Sequence, residues 1–331
     1  MISLGWEPMS SSTDAQGGLR ADGIDVLGAD VWRERERRHR ERVDALLADH
    51  LDRRARGIAH PVEDFLFTYY SHRPAQLRRW HPGPGVLLAG PTAQAPASNW
   101  YREAAGTDAD GRAVRGTTLD LDAFAARRGS TVDFVRGLLG AVQERPAHLG
   151  CFGLHEWAMV YRLPADEVRH AQVPLRLGTQ GTDRVVESHR IRCSHYDAFR
   201  FFTEAARPRN RLQPTRESQT ALDQPGCLHA NMDLYKWAYK LSPGVPGELV
   251  VDCFELAKDI RELDMRASPY DLREHGYEPV AIETPEGKAA YVEAQRAFAE
   301  RAGGLRARLL EVCDRLRPEP VEPGERAVDG G

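Results

Sequence analysis

The residues best suited to chemistry lie on one narrow stripe of a predicted helix. Residues 226–241 (GCLHANMDLYKWAYKL) have helical periodicity, and at about 100° per residue His229, Asp233, Lys236 and Lys240 fall on one line. Apolar and aromatic side chains flank this line on both sides, whereas a surface helix ordinarily has one broad polar face. The stripe therefore predicts polar groups facing an internal cleft, where His229 and Asp233 act as an acid/base pair or bind a metal. A solvent-facing stripe with outward-reaching lysines is the alternative.

A second group of carboxylates lies on the next predicted helix, residues 247–266. One face of this helix carries Asp252, Glu255, Asp259 and Glu262. These like charges repel one another, and only Arg266 opposes them within the face. Two alternatives remain open, because either cations from elsewhere or a metal ion would cover the face. On this pattern Glu255 and Asp259 are predicted catalytic partners of the stripe, and Arg266 is predicted to bind substrate.

Histidines from two other segments complete the predicted site. His155 and Glu156 are adjacent in an apolar run, and His195 lies where a predicted strand meets a helix. Imidazole and carboxylate donors from several elements are what a metal site in a helical core requires, and they suit iron, manganese or zinc. The predicted metal ligands are His155, His195, His229, Asp233 and Glu255. Four of these ligands, His155, His195, His229 and Asp233, are also predicted catalytic residues, and so is Glu156.

Groups suited to recognition flank these segments. The basic loop 206–219 carries Arg209 and Arg216, whose guanidinium groups suit a phosphate or a carboxylate. Tyr270 follows the acidic helix in a turn set by a proline. The predicted substrate-binding residues are Arg209, Arg216, Asn231, Lys236, Arg266 and Tyr270.

These segments are predicted to belong to a mainly α (α+β) fold. Helices are expected over 30–56, 119–128, 131–145, 195–206, 227–241, 247–266 and 286–316. A small antiparallel β-hairpin is expected around 171–193, because two β-prone runs flank the polar segment TQGTD. A single helix-rich domain is predicted over 30–316. Residues 1–28 and 317–331 are predicted to be disordered tails, since they are rich in small, polar and turn-forming residues.

The overall composition excludes some classes of protein. The net charge is −4, so the whole molecule has no strong attraction to nucleic acid. No run approaches the roughly 18 apolar residues that span a bilayer, and no secretory signal is visible. The five cysteines are widely spaced without a CxxC pair, which is typical of a reducing, cytoplasmic location. A cytoplasmic protein without a membrane partner is therefore expected.

Four strings resemble those of the actinobacterial 3-methyladenine DNA glycosylase family: HPVEDFLFTYYS (60–71), LHEWAMVYR (154–162), HANMDLYKWAYKLSP (229–243) and CFELAKDIRELDMRASPYDL (253–272). The resemblance covers roughly residues 58–300 and implies a hydrolase that acts on DNA or a nucleobase-containing substrate. Helix-hairpin-helix glycosylases carry an LPGVG-like hairpin before a catalytic aspartate. The segment LSPGVPG (241–247) departs from that hairpin at Ser242 and Pro246.

Three functions remain open from the sequence. In the first, a nucleobase N-glycosylase, Asp233 or Asp252 would activate water, the basic loop would hold phosphate, and no cofactor would be required. In the second, a divalent transition metal held by histidines and carboxylates would act on a small molecule. In the third, a binding protein without catalysis, the polar groups would form a buried structural network.

Overall fold

The structure is a computed structural model that describes residues 24–90, 99–164 and 173–317. The longer helices are α1 (Ala29–Ala55), α4 (Leu121–Gln143), α6 (Gly178–Ser188), α9 (Leu228–Lys240), α10 (Gly247–Arg266) and α11 (Pro285–Leu316). The short helices are α2 (Phe65–Tyr69), α3 (Pro74–Leu77), α5 (Leu154–Ala158), α7 (Tyr196–Phe199) and α8 (Gln219–Leu222). The strands are β1 (Asp25–Leu27), β2 (Val86–Ala89), β3 (Tyr101–Thr107) and β4 (Ala113–Leu119). The prediction of a mainly helical fold with a small sheet is confirmed.

Helices α9, α10 and α11 form the centre of the fold. Helix α10 packs against both α9 and α11, and α4 packs on α11. Helix α10 is central because one of its faces is apolar: Cys253, Leu256, Ala257 and Ile260 recur on that face and are fully buried. One hydrophobic cluster joins these helices and extends from Val43 to Leu316. The predicted bounds of α1, α9, α10 and α11 agree with the structure to within about one residue.

The four strands form one sheet in the order β1-β2-β4-β3. Strand β1 pairs parallel with β2, while β2 with β4 and β4 with β3 are antiparallel. Trp32 and Trp80 pack with Val86 and Leu88 against this sheet. The sheet therefore lies around 25–27 and 86–119, and the predicted hairpin around 171–193 is wrong.

Residues of the predicted hairpin form helix α6 instead. Thr182, Val185 and Val186 recur at helical spacing and are buried, and α6 packs against α5. The hydroxyl of Thr182 also donates to the Gly178 carbonyl one turn earlier, at 2.8 Å. Burial of this face therefore outweighs the β propensity of the two valines and the turn-like segment TQGTD. Residues 171 and 172 lie outside the described residues.

Other boundaries differ from the prediction as well. Helices predicted over 119–128 and 131–145 are the single helix α4, whose N-cap Asp120 accepts from the Ala123 N–H at 3.0 Å. Asp25–Leu27, predicted to belong to a disordered tail, is a strand because it pairs with residues 86–88, which local composition does not reveal. The remainder of that prediction, over 1–23 and 318–331, falls outside the described residues.

No helix in the described parts of the chain is both long enough and apolar enough to cross a membrane.

Candidate functional site

The polar stripe of α9 faces the interior of the protein over most of its length. Asp233 is 2% exposed, the Lys236 side chain 12% exposed, and His229 is half-buried. Lys240 at the end of the helix is exposed. The start of α9 is held by the Asn231 amide, which donates to the Pro225 carbonyl at 2.9 Å, and by Gln295, which donates to the Gly226 carbonyl.

Three predicted histidines meet around His229. The ring centroid of His155, on α5, lies 4.4 Å from that of His229, with the two rings perpendicular. The ring of His195, which precedes α7, lies 5.5 Å from that of His229 at 26°. His155 and His195 are both buried. Three segments far apart in sequence therefore deliver imidazoles to one place.

Asp264 of α10 borders the same place. Its Oδ1 lies 3.1 Å from His155 Nε2, yet this oxygen has no hydrogen-bond partner among the described residues. His155, His229 and Asp264 can each offer one ligand atom such that all three atoms lie within 4.8 Å of one another. Two imidazoles and one carboxylate are the protein ligands of several catalytic metal sites.

A buried arginine lies beside this triad. Arg261, one turn before Asp264, donates to Glu156 Oε1 at 2.9 Å and lies 3.4 Å from Asp264 Oδ2. Its guanidinium stacks over the Phe65 ring at 3.9 Å. Glu156 therefore points to Arg261, and its nearest contact with His155 is longer, at 4.0 Å.

His195 is oriented by a second carboxylate. Its Nδ1 lies 3.0 Å from Asp223 Oδ1, and the Gln219 amide donates to the other oxygen of Asp223 at 3.0 Å. All three side chains are buried. The opposite nitrogen, His195 Nε2, has no hydrogen-bond partner among the described residues and lies 3.7 Å from Asp233 Oδ2.

A lysine connects the carboxylates of Asp233 and Asp197. Lys236 Nζ lies 2.5 Å from Asp233 Oδ2 and 3.2 Å from Asp197 Oδ2, and the Tyr70 hydroxyl donates to Asp233 Oδ1 at 3.2 Å. His195, Asp197 and Asp233 also satisfy the metal-ligand spacing. However, the ammonium group of Lys236 already supplies a cation between the two carboxylates.

The pKa values follow from burial and charge. Burial lowers the pKa of His155 and of His195, but Asp264 and Asp223 respectively outweigh it, so both are raised above the ordinary value. Burial, reinforced by the positive charge of His155, lowers the pKa of His229 well below its usual range. Of the three imidazoles, His229 is therefore the one whose neutral form burial favours most.

Carboxylates outnumber cations in this cluster. The acids are Glu156, Asp197, Asp223, Asp233 and Asp264, and the cations are the half-buried Lys236 and the buried Arg261. Arg200 adds one exposed cation at Asp197, 3.2 Å away. Because unbalanced buried charge is costly, protonated histidines or a bound cation would stabilise this cluster.

A small cavity opens onto His229. Its walls include His155, Cys193, Cys227 and Leu228, and its volume of about 20 Å³ is enough for one water molecule. A metal ligand bordering such a space has room for a coordinated water. The cluster thus combines ligand atoms, a space for water and an oriented imidazole, His195.

The predicted catalytic residues Glu255 and Asp259 lie elsewhere. On α10 they point away from Asp264 by about 180° and 140° at 100° per residue. Arg42 donates to Glu255 at 2.7 Å, and Arg301 donates to Asp259 at 2.5 Å. Cations from α1 and α11 therefore cover the acidic face, and this decides between the two alternatives left open by the sequence.

Most predicted substrate-binding residues have structural contacts. Asn231 accepts from Arg306 at 2.8 Å, and Arg266 pairs with Glu262 at 3.1 Å and donates to the Glu278 carbonyl. Tyr270 is buried in a separate hydrophobic cluster with Met265.

The two arginines of the basic loop contact aromatic rings. Arg209 donates to the Glu187 carbonyl at 3.1 Å and lies over Tyr161, and Arg216 lies 6.0 Å from the Tyr196 ring centroid. Of the residues predicted to bind substrate, Lys236 is the one that lies in the histidine cluster.

Several residues of the cluster escaped the sequence prediction. Asp264 and Arg261 stand between Ile260, Leu263 and Met265 on the buried side of α10, and charged residues on an apolar face were a usable signal. Asp223 and Tyr70 had no comparable signal, since their roles depend on contacts with residues far along the chain.

No family model, curated protein or solved structure matches the chain.

Proposed function

We propose that the protein is a metal-dependent hydrolase of a small molecule, with one divalent metal bound by His155, His229 and Asp264. The observation that carries the proposal is the geometry of these donors. His155 Nε2 lies 3.1 Å from Asp264 Oδ1, which has no hydrogen-bond partner among the described residues, and makes a hydrogen bond of 3.3 Å with Asp264 Oδ2. A separation near 3 Å suits two atoms that ligate one ion. His229 supplies a neutral third donor beside them.

The ligand set supports a catalytic rather than a structural metal. Structural zinc sites are closed by four protein ligands, usually with cysteine, whereas catalytic sites keep a position for water. Here the cavity beside His229 has room for that water. Zinc, manganese and iron all accept two imidazoles and a carboxylate.

The second triad supports a metal less well. Asp197 and Asp233 share the Lys236 ammonium group, and Asp233 also accepts from Tyr70. A metal ion there would have to displace the ammonium group of Lys236. We therefore assign Asp233 and Lys236 to the wall of the site and place the metal at the other triad.

The residues around the triad have roles in hydrolysis. A bound divalent cation lowers the pKa of its water and polarises a substrate oxygen. His195, oriented by Asp223, would accept the proton of the attacking water at Nε2 as the water oxygen bonds to the electrophilic atom of the substrate. The same imidazole would return that proton to the leaving group as the bond to this group breaks.

The N-glycosylase expected from the family resemblance stays a prediction. Asp252, one carboxylate considered for it, is bound by Arg42 and Arg308 on the outer face of α10. Asp233, the other, is bound by Lys236, whose pKa is raised above its ordinary value by that carboxylate in spite of burial.

Metal binding by the full-length chain tests the proposal. The protein is stripped with a chelator, reloaded separately with Zn²⁺, Mn²⁺ and, anaerobically, Fe²⁺, and analysed for bound metal. We expect one ion per chain and at least a hundredfold loss of affinity in His229→Ala and Asp264→Asn. Glu255→Gln is the matched control, because Glu255 lies on the same helix as Asp264 but pairs with Arg42.

Activity separates the two functions. Hydrolysis of chromogenic phosphate, ester and amide substrates should require the metal, and His195→Ala should abolish it while retaining the ion. Equal metal binding by the wild type, His229→Ala and Glu255→Gln would overturn the proposal. Metal-independent release of bases from alkylated DNA, abolished by Asp233→Asn, would replace it with the glycosylase.

A further inference from the structure

A second, larger cavity lies at the other end of the α9 stripe. Its volume is about 410 Å³, within the roughly 300–1,000 Å³ of small-molecule sites. Its walls come from the end of α9, the start of α10, helix α4 and the segment after α2. None of the histidines or acids of the metal centre lines it.

The charged side chains of this cavity are all cations. Arg79, Arg128 and Lys240 line it, and no carboxylate does so among the described residues. Arg128 makes only a long contact, 3.5 Å, with the Lys240 carbonyl, and no ion pair joins these three cations to an acid in the described parts of the chain. In a protein with a net charge of −4, a cavity that concentrates unpaired positive charge favours an anionic ligand.

The backbone adds to this preference. The 20-residue helix α10 begins at Gly247, which lines the cavity. A helix N-terminus carries a partial positive charge and favours anions. Glu248 in the first turn does not line the cavity, since Arg35 and Trp80 hold its carboxylate.

The remaining wall includes aromatic side chains among neutral residues. His72 stacks on Tyr239 with ring centroids 4.7 Å apart and planes within 5°. His72 Nδ1 lies 2.9 Å from the Tyr235 hydroxyl, and His81 Nδ1 lies 2.9 Å from the Tyr101 hydroxyl. Burial lowers the pKa of both histidines to about 4, so both are neutral hydrogen-bonding groups at pH 7. Such a surface suits a planar ring better than it suits a second charge.

We propose that this cavity binds a mononucleotide-sized phosphate ester, with the phosphate between Arg79, Arg128 and Lys240 and a planar ring against His72 and Tyr239. The proposal is independent of the metal centre. A free small molecule is favoured over DNA, because the cavity is bounded and the protein as a whole is acidic.

Calorimetric titration of the full-length protein tests this site with AMP, adenosine and inorganic phosphate as probes. We expect AMP to bind at least tenfold more tightly than either adenosine or phosphate. Arg79→Gln and Lys240→Gln should each weaken AMP binding about tenfold and change adenosine binding little. Both side chains are exposed, so neither substitution should unfold the protein.

Two controls separate the site from general charge and from the metal centre. Arg211→Gln removes an exposed arginine outside the cavity and should leave AMP binding unchanged. His229→Ala, which removes a proposed metal ligand, should also bind AMP normally. The proposal is overturned if AMP binds no more tightly than phosphate, or if the control Arg211→Gln loses as much affinity as Arg79→Gln and Lys240→Gln do. It is also overturned if a single-stranded oligonucleotide binds more tightly than AMP and displaces it.

Discussion

His195 Nδ1 lies 3.0 Å from Asp223 Oδ1, and this buried pair leaves His195 Nε2 without a hydrogen-bond partner among the described residues. A carboxylate behind an imidazole determines which nitrogen carries the proton and directs the other nitrogen into the site. Gln219 holds the second oxygen of Asp223, so the orientation does not depend on a single contact.

Asp223→Asn should lower the pKa of His195. Burial disfavours the imidazolium, and the Asp223 carboxylate is the first group that opposes burial. Without that negative charge, burial is opposed less strongly and the pKa of His195 should fall. NMR titration of the histidine ring protons in metal-free protein measures the change, with the exposed His275 as internal control. An unchanged His195 pKa would contradict the assignment of Asp223 as its partner.

Glu156→Gln should destabilise the protein much more than Glu255→Gln does. Arg261 is 2% exposed and loses its shortest ion pair when Glu156 is neutralised, so a buried charge is left with Asp264 alone. We expect a loss of on the order of 3 kcal/mol in the free energy of unfolding. Glu255 is half-buried and faces Arg42 at the surface, so its loss should be under about 1 kcal/mol. Urea denaturation of both variants tests this, and equal losses would refute it.

His72 should make the stability of the protein depend on pH below neutrality. Its pKa is about 4 in the folded protein and about 6.5 when unfolded, because burial disfavours the charged ring. The unfolded chain therefore takes up the proton first, and stability falls as the pH drops from 6.5 towards 4. Between pH 7 and pH 5, His72 should lower the free energy of unfolding by about 2 kcal/mol.

Denaturation of the wild type and of His72→Gln at pH 7 and pH 5 isolates this contribution. The difference between the two pH values should be smaller in His72→Gln. If both proteins lose the same stability on acidification, His72 is not buried as a neutral ring.

Gly226→Ala should disturb the start of α9. A Cβ at this position would lie 2.5 Å from the His148 carbonyl oxygen, so backbone must move. We expect a loss of about 2 kcal/mol in stability and weaker metal binding through His229, three residues later. The matched control is Gly137→Ala, at an exposed position of helix α4 where a Cβ meets no atom within 4 Å, and it should stabilise the protein by up to about 1 kcal/mol. Thermal unfolding compares them, and two losses of similar size would count against the close approach.

The helices and the polar stripe of α9 were predictable because their information is local. Apolar residues at intervals of three and four define a helix face, and the same arithmetic placed His229, Asp233 and Lys236 on one line. The β-hairpin predicted at 171–193 was wrong because the information that decides this segment is not local. Val185 and Val186 suit a strand as well as a helix, and only their burial against α5 selects α6.

The partners of each charged residue were decided by the tertiary structure. His155 and Asp264 are 109 residues apart and meet because α5 and α10 pack together, while Arg42 and Arg301 reach Glu255 and Asp259 from α1 and α11. From the sequence, the acidic face of α10 was predicted to have a role, whereas its two buried charges, Arg261 and Asp264, were missed. The periodicity of a helix determines which residues share a face, but the packing of distant helices determines which face is buried and which charges it meets.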